Sequence, residues 1–291
     1  MNRGIRQRLR DTAEGAAAHL VFRLFAVLPL DAASGLGAWL FRTLGPRLGL
    51  SRRAHRNLGL AFPEKSPAEI EAVVRGMWDN LGRNLGEFPH IEKIVTTRMQ
   101  VVGAEILDRL RDDGRPGVFF SGHLANWETM GGILGHNGLR PHLFYRAANN
   151  PWVELLYVRA RSGFAAGLLP KGSRGARQAL ALLGKGEHLG MLVDQKMNDG
   201  IAVPFFGRPA MTAPALAQLA LRFDCPMVPM CVERLAGAHF RATVMPPLTP
   251  PRSGDRQADI LAVMTEVNAL IEDWIRARPE QWLWLHRRWP D

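Results

Sequence analysis

After residue 115 the chain alternates short apolar runs with stretches of helical pattern, and few architectures accommodate that rhythm. Residues 117–121, 142–145, 189–193, 227–232 and 240–244 read as strands, with Pro229 predicting an edge position or a bulge in the fourth. Between and after them, 124–136, 150–162, 173–184, 212–223 and 257–276 carry helical patterning. Alternation of this kind predicts an α/β fold, a mixed central sheet flanked by helices. No internal repeat or low-complexity run interrupts it, which sets solenoids and arrays aside.

Upstream the pattern is helical. Ser66-Pro67-Ala68-Glu69 is a capping box with proline at the first helical position, and it opens an amphipathic helix carrying Ile70, Val73, Val74, Met77, Trp78, Leu81 and Leu85, which Pro89 stops. The N-terminus begins with a basic segment and continues into a largely apolar one from Ala13 to Leu44. It lacks the short apolar core and small-residue cleavage site of a signal peptide. Arg23 and Asp31 interrupt it, Pro29 breaks it, and the charge-free stretch 32–41 is too short for about 30 Å of hydrocarbon. Two helices meeting near Pro29 are expected, with Asp31 capping the second. Apolar Leu20, Phe22, Leu24, Phe25 and Leu28 between basic flanks fit an element lying in a membrane interface; a helical hairpin packed on the rest of the chain is the alternative. The organisation read here is residues 1–50 as a membrane-associating helical region and 51–291 as one α/β domain.

Thirty-seven basic residues against 27 acidic give a net charge of +10, and only Lys65, Lys93, Lys171, Lys185 and Lys196 are lysines. Arginine forks suit phosphate and carboxylate oxygens, so an anionic partner is expected, although arginine-biased codon usage explains the bias equally well. A basic protein binding headgroups or nucleic acid without catalysis is the reading from a different class; no nucleic-acid-binding module is evident. Cys225 and Cys231 are too few for a disulfide framework or a four-thiolate zinc site, which fits a reducing compartment.

Chemistry concentrates in Ser121-Gly122-His123-Leu124-Ala125-Asn126-Trp127-Glu128, directly after an apolar strand. Histidine and glutamate five apart diverge by about 140° on one helix, so they meet only if His123 lies in the turn before a helix that holds Glu128. Glu128 would then accept from one ring nitrogen of His123 and leave the other to act as a general base toward a bound alcohol. A histidine that merely caps a helix is the plainer alternative. No H-E-x-x-H zinc motif, G-x-S-x-G elbow, G-x-G-x-x-G or phosphate-binding lysine loop occurs, so no metal and no nucleotide cofactor is expected.

The same segment carries the H-x4-D/E signature of the bacterial lipid A late acyltransferases, the lauroyl and myristoyl transferases of lipopolysaccharide synthesis, which the chain resembles. The likeness runs in order through Arg53-Ala-His-Arg-Asn57, Phe62-Pro63-Glu64, Val102-Gly-Ala-Glu105, Tyr145-Arg146, Asn150-Pro151 and Arg159-Ala-Arg161-Ser-Gly163. It continues through Lys185-Gly186-Glu187, Val193-Asp194-Gln195, the segment 203–209 and the segment 279–289. The resemblance implies that His123 deprotonates a hydroxyl of a lipid A precursor, which attacks the thioester of an acyl-acyl carrier protein, or of acyl-coenzyme A, without an acyl-enzyme. It implies Arg159 for the oxyanion or for donor positioning, with Arg161 as its competitor, and Asp194 as the organiser of arginine and site. Arg146, Arg208, Arg287 and Arg288 are read as candidates for binding substrate phosphates, with a solvated surface cation as the plainer alternative for each, and Asn126 and Arg161 are further substrate-binding candidates. Trp282, Trp284 and Trp289 read as either an interfacial belt or a packed core. The expected location is the cytoplasmic face of the inner membrane, on an anionic surface. Acyltransfer to another lipid, such as a lysophospholipid, an acylated mannoside or an ornithine lipid, is the competing function.

Overall fold

The computed structural model describes residues 3–289. The N-terminal half is helical: α1 (Arg3–Val27), α2 (Leu30–Leu44), α3 (Ser51–Ala61), α4 (Pro67–Glu87) and α5 (Ile91–Thr97). Helix α4 opens on the expected capping box, with Ser66 Oγ accepting from Glu69 N at 3.3 Å and Glu69 accepting from Ser66 N at 2.8 Å. Its end at Glu87 precedes a short 3₁₀ turn containing Pro89. The break at Pro29 also stands, but Asp31 caps nothing. The residue preceding α2 is Pro29, and the Asp31 carboxylate instead accepts from Arg98 at 3.0 Å.

The rest alternates: β1 (Met99–Val102), α6 (Ala104–Asp112), β2 (Val118–Ser121), α7 (Thr129–His136), β3 (His142–Tyr145), α8 (Pro151–Arg161), β4 (Gly167–Pro170), α9 (Ser173–Leu183) and β5 (Leu189–Leu192). A hairpin of β6 (Lys196–Phe205) and β7 (Arg208–Thr212) follows, then α10 (Ala215–Phe223), β8 (Met227–Ala236), β9 (His239–Val244) and α11 (Arg256–Ala277). Seven strands form one mixed sheet in the order β1-β9-β8-β2-β5-β3-β4, parallel throughout except at β8–β9. Strand β2 lies at its centre with all four residues buried, where a run of Val-Phe-Phe is expected.

Pro229 is neither at an edge nor in a bulge. Strand β8 pairs with β2 over Met227–Pro229 and with β9 from Met230 onward, so the missing amide proton falls where β8 changes partner. Apolar side chains pack on both faces of the sheet. One cluster joins α3, α4, α10, α11 and the C-terminal tryptophans, and the other joins α5, α6 and α7. Helix α2 lies against α4 backbone to backbone; a Cβ at Gly37 would stand 2.1 Å from the Gly82 carbonyl oxygen. Helix α1 rests on α8, where the Asn150 side chain donates to the Asp11 carbonyl at 2.8 Å. Among the described residues no helix is long and apolar enough to cross a membrane.

Candidate active site

The C-terminal end of β2 delivers the chain into a loop, residues 122–128, and α7 begins only at Thr129. Residues 124–128, expected as helix, are therefore irregular. Gly122 lies close to its neighbours, since a Cβ there would sit 3.2 Å from Asp194 Oδ2 and crowd the Leu124 side chain. Ala125 adopts a left-handed φ of 45°, a conformation costing roughly 1–3 kcal/mol for a residue with a Cβ. Its neighbours hold it there. The Ala125 amide donates to Gln281 O at 2.9 Å, and its carbonyl accepts from Asn80 Nδ2 at 3.0 Å and Asn84 Nδ2 at 2.5 Å.

Behind this loop lies a buried polar network. Arg234 near the end of β8 donates to both carboxylate oxygens of Glu87 at 2.5 and 3.0 Å, and to Asn80 Oδ1 and Asn84 Oδ1 at 2.9 and 2.8 Å. Glu87 also accepts from Ser34 at 2.7 Å and from Asn126 Nδ2 at 2.9 Å. Asn126 is fully buried in this network, so it supports the loop and does not face a substrate.

The partner of His123 is not Glu128. Its Nδ1 lies 2.7 Å from Asp194 Oδ1, and its backbone N–H donates to Asp194 Oδ2 at 2.6 Å. Trp282 Nε1 adds a third donor to Asp194 at 2.7 Å. Burial alone would raise the Asp194 carboxyl, but His123, through its ring and its backbone N–H, outweighs it and holds the group well below the usual carboxylate range. Asp194 therefore organises the histidine, and no arginine among the described residues is hydrogen-bonded or ion-paired to it. Glu128 faces Arg161 in a two-pronged pair at 2.6 and 2.9 Å. Burial works against the Arg161 charge, yet the adjacent Glu128 carboxylate keeps its guanidinium above the ordinary range.

His123 opens on a cavity of about 410 Å³. Phe41, Leu81, Leu85, Phe88, Met130, Leu143, Phe144, Met191 and Leu192 give it an apolar lining, and its polar groups include His123, Glu128, Arg146, Arg161, Lys171 and Gln195. Volume and lining suit a ligand that is mostly apolar with a few fixed polar points.

Of the arginines offered by the sequence, Arg146 and Arg161 line the cavity, whereas Arg159, Arg208 and Arg287 are exposed and lie outside its lining. The competitor Arg161 thus stands where Arg159 was expected, because two residues along α8 turn the side chain through about 200°. Arg288 is fully buried, donating to Met211 O, Thr212 Oγ1 and Asn268 Oδ1 at 3.1, 2.8 and 3.2 Å, so it ties β7 to α11 and offers nothing to a phosphate. The three tryptophans are buried and belong to the core.

Sequence reasoning missed Glu87, Arg234, Lys171, Gln195 and His286 as parts of the site. Asn80, Asn84 and Glu87 repeat at helical spacing on one face of α4, a polar stripe that was available as a signal. His286 packs 4.7 Å from the His123 ring, and burial together with His123 pushes its imidazole down to about 3. Together His123, Asp194 and His286 present metal-ligand types within 4.8 Å of one another. Both Asp194 oxygens already accept N–H groups, however, and His123 Nδ1 donates one of these hydrogen bonds. The arrangement is that of a hydrogen-bonded histidine–carboxylate pair.

A mostly parallel sheet with a carboxylate-held histidine at a strand's carboxyl end, facing an apolar-lined cavity, is the arrangement of an enzyme site in an open α/β fold. The profile of the bacterial lipid A biosynthesis acyltransferase family matches residues 7–291, so the chain belongs to that family and is an acyltransferase. It is 26% identical over 248 residues to a lipid A biosynthesis myristoyltransferase of Escherichia coli (82% of this chain, 75% of that one). It is 25% identical to the lauroyltransferase of the same organism over 265 residues (87% and 82%). Among solved structures it is similar to a 1-acyl-sn-glycerophosphate acyltransferase from Thermotoga maritima, with a TM-score of 0.43 and 14% identity over 90% of this chain and 98% of that one.

Proposed function

We propose that the chain moves a fatty acyl group from acyl-acyl carrier protein to a hydroxyl of a lipid A precursor. The observation that carries this reading is His123, held by Asp194 through Nδ1 and opening through its other side onto an apolar cavity, in a member of this family. His123 Nε2 takes the acceptor's proton, and the oxygen attacks the thioester carbonyl. The tetrahedral intermediate collapses, the carrier's thiolate leaves, and the imidazolium returns a proton to it. No side chain is acylated. The acyl chain lies along Leu81, Leu85, Phe88 and Met191, and Arg161, Arg146 and Lys171 face anionic parts of the substrates.

The same reading places the protein at the cytoplasmic face of the inner membrane. Exposed Leu20, Leu24 and Val27 on α1, Leu36, Trp39 and Leu44 on α2 and Trp152 on α8 supply an apolar surface, and exposed Arg6, Arg8, Arg10, Arg23 and Arg47 supply charge for anionic headgroups. Residues 1–50 act as the membrane-associating part, and the basic surface steers an acidic carrier protein.

The test is incubation of purified protein with a lipid A precursor and a panel of acyl-carrier-protein thioesters, beside His123→Ala. Mass gain by one acyl group, lost in the variant, is expected. Thioester consumption only with other lipid acceptors would transfer the assignment to those acceptors, and no turnover with any acceptor would overturn it.

A further inference from the structure

Around His123 the hydrogen-bond donors and acceptors run in one direction. Lys171 Nζ stands 2.6 Å from Gln195 Oε1, and Gln195 Nε2 stands 3.2 Å from His123 Nε2. An ammonium can only donate, so it fixes the amide oxygen toward Lys171 and the amide N–H toward the ring. His123 Nε2 is then an acceptor, and Nδ1 carries the proton that Asp194 receives. The tautomer a general base needs is thus enforced from both sides, and in this arrangement the basic nitrogen is capped.

We propose that Gln195 is a catalytic residue that caps His123 and then serves as an oxyanion donor, with Lys171 as the residue that positions it. The acceptor hydroxyl displaces the Gln195 N–H from His123 Nε2. The released N–H lies beside the reacting atoms, inside the same cavity, where the thioester carbonyl oxygen gains negative charge as the alcohol oxygen bonds to carbon. It hydrogen-bonds that oxygen until the carbon–sulfur bond breaks and the carbonyl re-forms. The proton accounting stays with His123; Gln195 neither gains nor loses one. The amide is preorganised because Lys171 holds its oxygen, and a neutral amide in such a role contributes about 10²–10³ in kcat.

The inference deepens the acyl-transfer reading, and two measurements keep their failures apart. The first needs no substrate: ring-nitrogen NMR shifts of ¹⁵N-histidine-labelled protein should show His123 protonated at Nδ1 in both wild type and Gln195→Leu, because Asp194 remains, with the unprotonated Nε2 resonance moving downfield in the variant as it loses its hydrogen bond. An unmoved Nε2 resonance in the variant would overturn the cap. The second uses acyl-thioester turnover with whichever hydroxyl acceptor the wild type accepts. Gln195→Leu should lower kcat by about 10²–10³ with KM within about threefold. Lys171→Met should lower kcat by roughly tenfold, and Lys171→Arg, which still donates to the amide, should restore most of it. The charged and titratable groups facing His123 are Asp194, His286 and, through Gln195, Lys171. A carboxylate introduced by Gln195→Glu should therefore move the acid limb of kcat/KM upward. An unchanged kcat in Gln195→Leu, or an unmoved limb in Gln195→Glu, would sink the catalytic role even if acyl transfer to lipid A stands.

Discussion

At the scale of single residues, Asp194 and Glu128 divide what a one-carboxylate reading would combine. Asp194 accepts the hydrogen bond from His123 Nδ1–H, so Asp194→Asn presents an amide that favours the opposite tautomer. By comparison with the aspartate of a Ser-His-Asp triad, kcat should fall roughly 10³–10⁴-fold with the fold intact, as checked by steady-state kinetics beside circular dichroism. Glu128→Gln leaves the histidine's hydrogen bond in place and weakens the hold on Arg161, so its main effect should be a raised KM. A Glu128→Gln loss of kcat as large as that of Asp194→Asn would reverse the assignment. His286 supplies a pH signature. Its imidazole sits near about 3 when folded but takes a proton near pH 6.5 when unfolded. Between those values the unfolded chain binds more protons, so this contribution is complete above about pH 6.5 and declines as pH falls toward 3. Urea unfolding across this range should show a shallower decline in His286→Gln than in wild type.

At the scale of elements, the loop that holds His123 is supported from α4 and β8. Removing one side of the buried Glu87–Arg234 pair leaves a charge in the core, and Arg234→Met should cost about 3–5 kcal/mol in denaturant unfolding. Glu87→Gln combined with Arg234→Met should cost less than the sum of the two, since neither strands its partner. The central strands were readable because their residues are apolar on both faces. Short β1, proline-ended β4 and the polar start of β6 lacked that mark and went unread. His123 was legible as the candidate base because a strand leads straight into it. Its hydrogen-bond partner was not, because Asp194 is 71 residues away and reaches His123 only when β5 is placed beside β2. Glu128 was the nearer carboxylate in sequence, but the loop runs irregularly to α7 and carries it to Arg161.

At the scale of the whole molecule, charge and apolar surface coincide on the N-terminal helices. Each apolar side chain that enters a lipid interface contributes up to about 1.5–3 kcal/mol. Leu24→Glu with Trp39→Glu should therefore weaken binding to anionic vesicles by at least roughly tenfold in a sedimentation assay, leaving the near-ultraviolet circular dichroism unchanged. Added salt should weaken wild-type binding as well.

Helix α4 ties these scales together. Leu81 and Leu85 form part of the cavity wall, along which the proposed reaction lays the acyl chain, while Asn80, Asn84 and Glu87 on the same helix grip the turn presenting His123. A ruler and a trigger mounted on one rod cannot be adjusted separately. Substitutions along α4 that retune the fit of the chain will also retune the pace of transfer, so selectivity and speed in this enzyme should drift together.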